Sequence, residues 1–202
     1  GQYSAVDGEV SDWHLVHYGS RATGGVGLII TEMTAISETG RITEGCAGIY
    51  NAEQLNQWKK ITDFIHNNTS TKIAIQLGHS GRKGATKKPW EGNGPMETPW
   101  NLISASPIPF NENFATPKEM TLEDMEEIKS QFIQATKNAD EAGFDMIELQ
   151  AHHGFLLASF LSPLTNIRTD EFGGNIENRL KYPLEVFKAI RELVPTEKPI
   201  SV

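Results

Sequence analysis

A single cysteine, Cys46, leaves this chain of 202 residues without any internal disulfide, which excludes a small secreted scaffold stapled by bridges. Long apolar runs are missing too. The longest aliphatic stretch, Val26-Gly27-Leu28-Ile29-Ile30, falls far short of the about 20 residues that a membrane span needs. Basic residues are in deficit: Lys+Arg number 18 against 26 Asp+Glu, a formal net charge of −8. A surface of that sign repels phosphate backbones and anionic lipid, so nucleic acid and membrane surfaces are not expected partners. The opening residues Gly1-Gln2-Tyr3-Ser4-Ala5-Val6-Asp7 hold neither a basic nor an apolar block, and no signal peptide is expected from them. Together these absences predict a cytoplasmic protein that handles a small molecule. Repeats, low-complexity tracts and charge blocks are absent as well. What remains is an ordinary globular composition, 38% hydrophobic and 22% charged. The length suits one domain at about 150 residues each.

Short β-branched runs alternate with longer amphipathic stretches. Val26 to Thr31 reads as a buried strand entered from Gly24-Gly25. A helix is predicted from Asn51 to His66, because Leu55, Trp58, Ile61 and Ile65 recur at helical spacing behind an Asn cap. Lys72 to Leu77 is the next strand. Thr121 and Asp124 form a capping-box pattern, opening a helix with Leu122, Met125, Ile128, Phe132, Ala135 and Ala139 on one face. Gly143 suits its C-terminal stop. Phe144 to Leu149 is a third strand. Ile176 to Val194 is a helix expected to bend or restart near Pro183, and Pro199 to Val202 begins another strand.

Strands separated by helices imply right-handed crossovers and a parallel sheet. A doubly wound dinucleotide fold places its glycine-rich turn straight after a strand, but Gly24-Gly25-x-Gly27 precedes one. Polar residues gather instead at strand C-terminal ends: Glu32, Gln76, His79, Glu148, Gln150, His152 and His153. That is where a (β/α)8 barrel builds its site, although whole barrels take about 250 residues. The expectation is therefore an α/β fold, an incomplete (β/α)8 TIM barrel holding about strands one or two to five, with residues 1–202 as the N-terminal portion of one domain.

The densest chemistry lies in Ile75-Gln76-Leu77-Gly78-His79-Ser80-Gly81-Arg82, in Glu148-Leu149-Gln150-Ala151-His152-His153-Gly154-Phe155, and in Asn166-Ile167-Arg168-Thr169-Asp170-Glu171-Phe172-Gly173-Gly174. With Tyr3-Ser4-Ala5, His14-Leu15-Val16-His17-Tyr18 and Gly40-Arg41-Ile42, these runs resemble the old yellow enzyme family of FMN-dependent NAD(P)H oxidoreductases. Arg82-Lys83-Gly84 and Trp90-Glu91-Gly92 look most like its bacterial NADH-dependent branch. The resemblance implies FMN as cofactor, NADH or NADPH as reductant, and hydride delivery to an activated alkene or related acceptor. It implies that Gln76 meets the polar edge of the flavin, that Met33 meets it through the backbone, and that Gly1 stands where the family carries a Cys or Thr tuning the ring. His153 and Gln150 would hold the substrate oxygen, with Tyr3 lining the substrate side. Two residues depart from the pattern. Gln150 replaces a usual His, and Phe155 replaces a tyrosine that protonates the α-carbon.

Blander readings stand beside these. A strand continuing through His152 and His153 would send them to opposite sides, leaving only one to face a pocket. His14 and His17 are helical neighbours without a third ligand of matching spacing, so no metal is expected from them. A metal-dependent barrel hydrolase using Glu148, His152 and His153 is the enzymatic rival. A non-catalytic barrel fragment that self-associates through open sheet edges is the other, and a homo-oligomer is expected in either case. Arg168 and Asp170 are expected to pin a long loop, Trp90 and Trp100 to lie in a lid or flap, and Cys46 to be a small buried thiol.

Overall fold

Local capping decides where the long helices begin. In the computed structural model, which describes residues 1–202, Asn51 is extended and its side chain accepts the Gln54 N–H at 2.9 Å. Helix α2 (Ala52–Asn68) follows. Thr121 and Asp124 form the expected reciprocal box ahead of α3 (Leu122–Glu141), and Gly143 takes φ +88 just beyond it. Helix α1 (Asp12–Thr23) carries His14 and His17. The helix does not restart at Pro183: α5 runs from Ile176 to Leu193 with the proline inside it.

The strands are β1 (Leu28–Ala35), β2 (Lys72–Gly78), the short pair β3 (Ile103–Ser104) and β4 (Lys118–Glu119), β5 (Met146–Leu149) and β6 (Ile200–Ser201). The main sheet has the order β1-β2-β5-β6, every neighbour parallel. A doubly wound sheet reverses its order at a switch point. This one never reverses, which is the winding of a (β/α)8 barrel. Helix α4 (Leu156–Leu161) follows β5 directly. β1 starts two residues later than expected and runs four further, through Glu32. An apolar-run criterion stops at Glu32, yet that carboxylate is satisfied inside the protein, as described below. β5 likewise starts at Met146, because Phe144 packs in the core and Asp145 accepts the Ile73 N–H at 2.9 Å.

Along the strands one face is dry. Ile73, Ile75, Leu77 and Ile147 are fully buried beneath Trp58, Ile61, Ile65, Phe132, Val186 and Ile190, each such side chain stabilising the fold by about 1.5–3 kcal/mol. Trp58 lies between the rings of Tyr18 and Phe144, at 5.9 and 5.5 Å, and donates its indole N–H to Gly48 O at 3.0 Å. The opposite, concave face carries Leu28 and Ile30, 45% and 43% exposed, then the polar row Gln76 and Glu148 nearer the strand ends. No helix is long and apolar enough to cross a membrane.

Candidate active site

The polar row is built by register. Gln76 pairs with Met33 on one side and Glu148 on the other, and Glu148 pairs with Ser201. The Gln76 amide donates to Glu148 Oε1 at 2.5 Å, while the Ser201 hydroxyl reaches the second carboxylate oxygen at 3.3 Å. Glu32, beside a register irregularity between Ile30 and Met33, is a hub. It accepts the Gln2 main-chain N–H and the Tyr18 hydroxyl, and it lies 3.6 Å from the buried His14 Nε2. Gly78 closes β2 at a crowded point, where a Cβ would fall 2.9 Å from Met33 Cγ and 3.1 Å from Gln150 Cβ. Only a glycine lets these strand ends approach so closely.

Beyond β5 the chain turns sharply. Gln150 donates its N–H to Leu77 O at 2.9 Å, and its side-chain amide donates to the His152 carbonyl at 3.2 Å. Its Oε1 is buried without a partner. His153 takes φ +57 and Gly154 φ +71. This left-handed step corrects the expectation that His152 and His153 face opposite ways. The strand has already ended, so its alternation no longer applies, and the two exposed imidazoles stack with centroids 4.2 Å apart. Phe155, 8% exposed, sets its ring 6.3 Å from that of His153. Lys83 reaches across to the same turn and donates to the His153 carbonyl at 2.9 Å.

Tyr3 and Gly1 form a second group, tied to β1 through the Gln2–Glu32 contact. Tyr3 has φ +50, packs under Gly1 and meets the exposed Trp90 edge-on at 6.5 Å. Burial, then the nearby Cys46 and Glu32, hold the Tyr3 phenol above its usual pKa. Cys46 is itself 2% exposed. Trp100 donates to Thr39 O at 3.1 Å and lies under the Arg41 guanidinium. The Tyr3–Trp90 contact, the Glu32 hub and the reach of Lys83 have no sign in the residue pattern, since each joins residues far apart in the chain. Arg168 does pin its loop, through Asp170 and two main-chain carbonyls. No three His, Cys, Asp or Glu side chains converge as a metal set. The rival reading built on Glu148, His152 and His153 therefore has no coordination site.

His79 gives a pH signature. Its ring is 2% exposed, and Nδ1 accepts the Gly81 N–H at 3.0 Å. Burial lowers its pKa from the usual 6.5 to about 3. Between those values the unfolded chain binds a proton that the folded chain refuses, so stability falls as pH drops, by up to about 1.4 kcal/mol per unit. Urea unfolding between about pH 7 and 5 should show this slope, and His79→Gln should flatten part of it. The remainder belongs to groups such as His14, whose pKa burial also lowers. Identical slopes in both proteins would contradict the assignment.

Comparison with known proteins finds relatives along nearly the whole chain. Residues 2–202 match the model of the NADH:flavin oxidoreductase / NADH oxidase family. The chain is 43% identical to an NADH:flavin oxidoreductase of Gibberella zeae, over 100% of this chain and 50% of that protein. It is 44% identical to an NADPH dehydrogenase of Clostridium acetobutylicum, over 96% of this chain and 53% of the other. Among solved structures, Old Yellow Enzyme from Pichia superimposes with a TM-score of 0.86 at 31% identity, covering 98% of this chain and 53% of that one. Morphinone reductase gives 0.85 at 31% identity, with 98% and 55% covered. The chain thus spans about half the length of the curated relatives it matches. A singly wound parallel sheet, polar strand ends and a match along nearly every residue lead to one assignment: the chain belongs to the NADH:flavin oxidoreductase / NADH oxidase family.

Proposed function

We propose that this chain supplies the flavin-facing and acceptor-facing strand ends of an FMN-dependent NAD(P)H oxidoreductase. The observation that carries the reading is the set of donors and acceptors above the concave face: the Gln76 amide, the buried and unpartnered acceptor Gln150 Oε1, and the exposed imidazoles at a strained turn. FMN presents donors and acceptors along its pyrimidine edge, and neutral amides both donate and accept. The set fits that group, with Gln76, the Met33 main chain and Gly1 to hold it. When bound, FMN supplies the hydride relay from reduced nicotinamide to an electron-poor alkene. His153 then donates a hydrogen bond to the acceptor's carbonyl oxygen, as donors aimed at developing negative charge do. Gln150 holds the turn that presents it, and its second amide hydrogen is available to the same oxygen. Tyr3 and Trp90 wall the acceptor side.

Phe155 has no proton to give. Phe155→Tyr, in a protein of the relatives' length carrying this chain, should speed the oxidative half-reaction with an enone about tenfold or more. Stopped-flow measurement separates this step from flavin reduction by NADH or NADPH. Fast enone turnover in the parent, with no gain from tyrosine, would overturn the role of position 155. The acidic balance supports a small-molecule substrate over nucleic acid, and the buried free Cys46 supports a reducing, cytoplasmic setting. Trp13 and Val16, 59% and 66% exposed on one side of α1, support association between copies.

A further inference from the structure

Arg82 and Lys83 are adjacent cations in a chain whose net charge is −8, yet neither has a carboxylate partner. Lys87 and Lys88, a few residues on, are each paired, with Glu97 and Glu91. Arg82 turns to the Ile108 and Pro109 carbonyls, and its Nε is buried without an acceptor. The Lys83 ammonium stands 4.6 Å from the Phe110 ring centroid and 5.1 Å from that of Phe155, with one hydrogen bond, to the His153 carbonyl. Ring faces and a carbonyl orient a cation without cancelling its charge. Two neighbouring positive groups, both partly withdrawn from water, repel each other, and burial and Arg82 lower the Lys83 pKa accordingly. An anion placed there relieves that repulsion. The turn that fixes His153 thus also fixes a cation with spare N–H donors beside it.

We propose that Lys83 recognises a carboxylate on the acceptor, so that the site prefers unsaturated carbonyl compounds bearing a negative charge. The inference rests on the oxidoreductase reading for the identity of the reacting group, but the anion preference follows from Lys83 alone. A carboxylate accepts the free N–H groups of the ammonium, and a charge-assisted hydrogen bond of this kind is worth about tenfold in binding or more. A methyl ester of the same shape lacks the charge. Lys83→Arg keeps a cation but changes its reach, whereas Lys83→Met keeps the apolar stem between the rings and removes the charge.

The test uses the flavin-loaded protein of the relatives' length, with acetylacrylate and its methyl ester as substrates. Binding of the saturated products, levulinate and methyl levulinate, is measured in parallel by calorimetry. The parent should favour acid over ester by about tenfold in both kcat/KM and affinity, with the preference weakening as salt is raised. Lys83→Met should remove the preference, and Lys83→Arg should restore part of it. Each variant's own ester serves as its reference, so a general disturbance of the His153 turn lowers both values and leaves the ratio intact. Equal treatment of acid and ester by the parent, or a preference that survives Lys83→Met, would overturn the proposal. Failure of nicotinamide to reduce the flavin would instead overturn the oxidoreductase reading, and the calorimetric ratio still decides the anion site.

Discussion

His153→Ala should slow the oxidative half-reaction with a simple enone by about a hundredfold or more, the size measured when one preorganised donor to a developing oxyanion is removed. The effect is large because the neighbours offer less: His152 stacks on this ring with centroids 4.2 Å apart but stands outside the left-handed step that fixes His153. Gln150 has given one amide hydrogen to the His152 carbonyl and keeps only a single neutral donor, and Phe155 carries none. Position is as important as chemistry. His153 holds φ +57, a conformation that non-glycine residues rarely adopt, and Lys83 ties down its carbonyl. Such a strained, fixed turn keeps a donor oriented before substrate arrives, which is the source of its advantage over water. Rapid mixing of reduced enzyme with enone reads the step directly. A change within a few fold would mean that the acceptor oxygen is held elsewhere.

Arg168→Ala should be the most destabilising surface-proximal substitution, by about 3 kcal/mol or more. The side chain is 6% exposed and knits three segments. Its Nε donates to Asp170 Oδ1 at 3.0 Å, and one terminal nitrogen donates to Ala105 O and Met120 O at 3.1 and 2.8 Å. Asp170 also accepts the Phe172 N–H at 3.0 Å. The Arg168 fork is the main reason that its carboxyl sits below the ordinary carboxylate range. Truncation removes the donor from two buried carbonyls and the counter-ion from Asp170 together. Domains are stable by only about 5–15 kcal/mol, so the loss is a large share of the total. Arg168→Lys keeps the charge without the planar fork and should recover less than half. Denaturant midpoints for the three proteins check this, and an alanine variant within about 0.5 kcal/mol of the parent would contradict it.

What could be read from the sequence was mostly local. Asn51, Thr121, Asp124 and Gly143 act within a turn of where they stand, so caps and stops were legible. Strand–helix alternation implied a parallel sheet, and the polar residues at strand C-terminal ends pointed to a barrel. The extension of β1 through Glu32 was not legible, because its partners Tyr18 and Gln2 lie 14 and 30 residues away. The stacking of His152 on His153 depends on a left-handed backbone at a histidine, for which no residue pattern stands as a sign. Lys83 meets His153 across 70 residues. Gln76 and the turn after β5 were placed through family resemblance, since an isolated amide at a strand end is most often an ordinary loop hydrogen-bonder.

The flavin content of the protein of the relatives' length tests the central claim most directly. After expression with excess FMN and desalting, the absorbance spectrum and the mass of the released cofactor give its identity and its ratio to protein. Equimolar FMN, bleached by NADH or NADPH under anaerobic conditions and restored by an enone, is the expected result. Gln76→Leu should retain markedly less of it, because the amide that matches the ring edge is gone. A colourless protein, or a bound flavin that reduced nicotinamide leaves oxidised, would contradict the assignment of these strand ends as a flavin site.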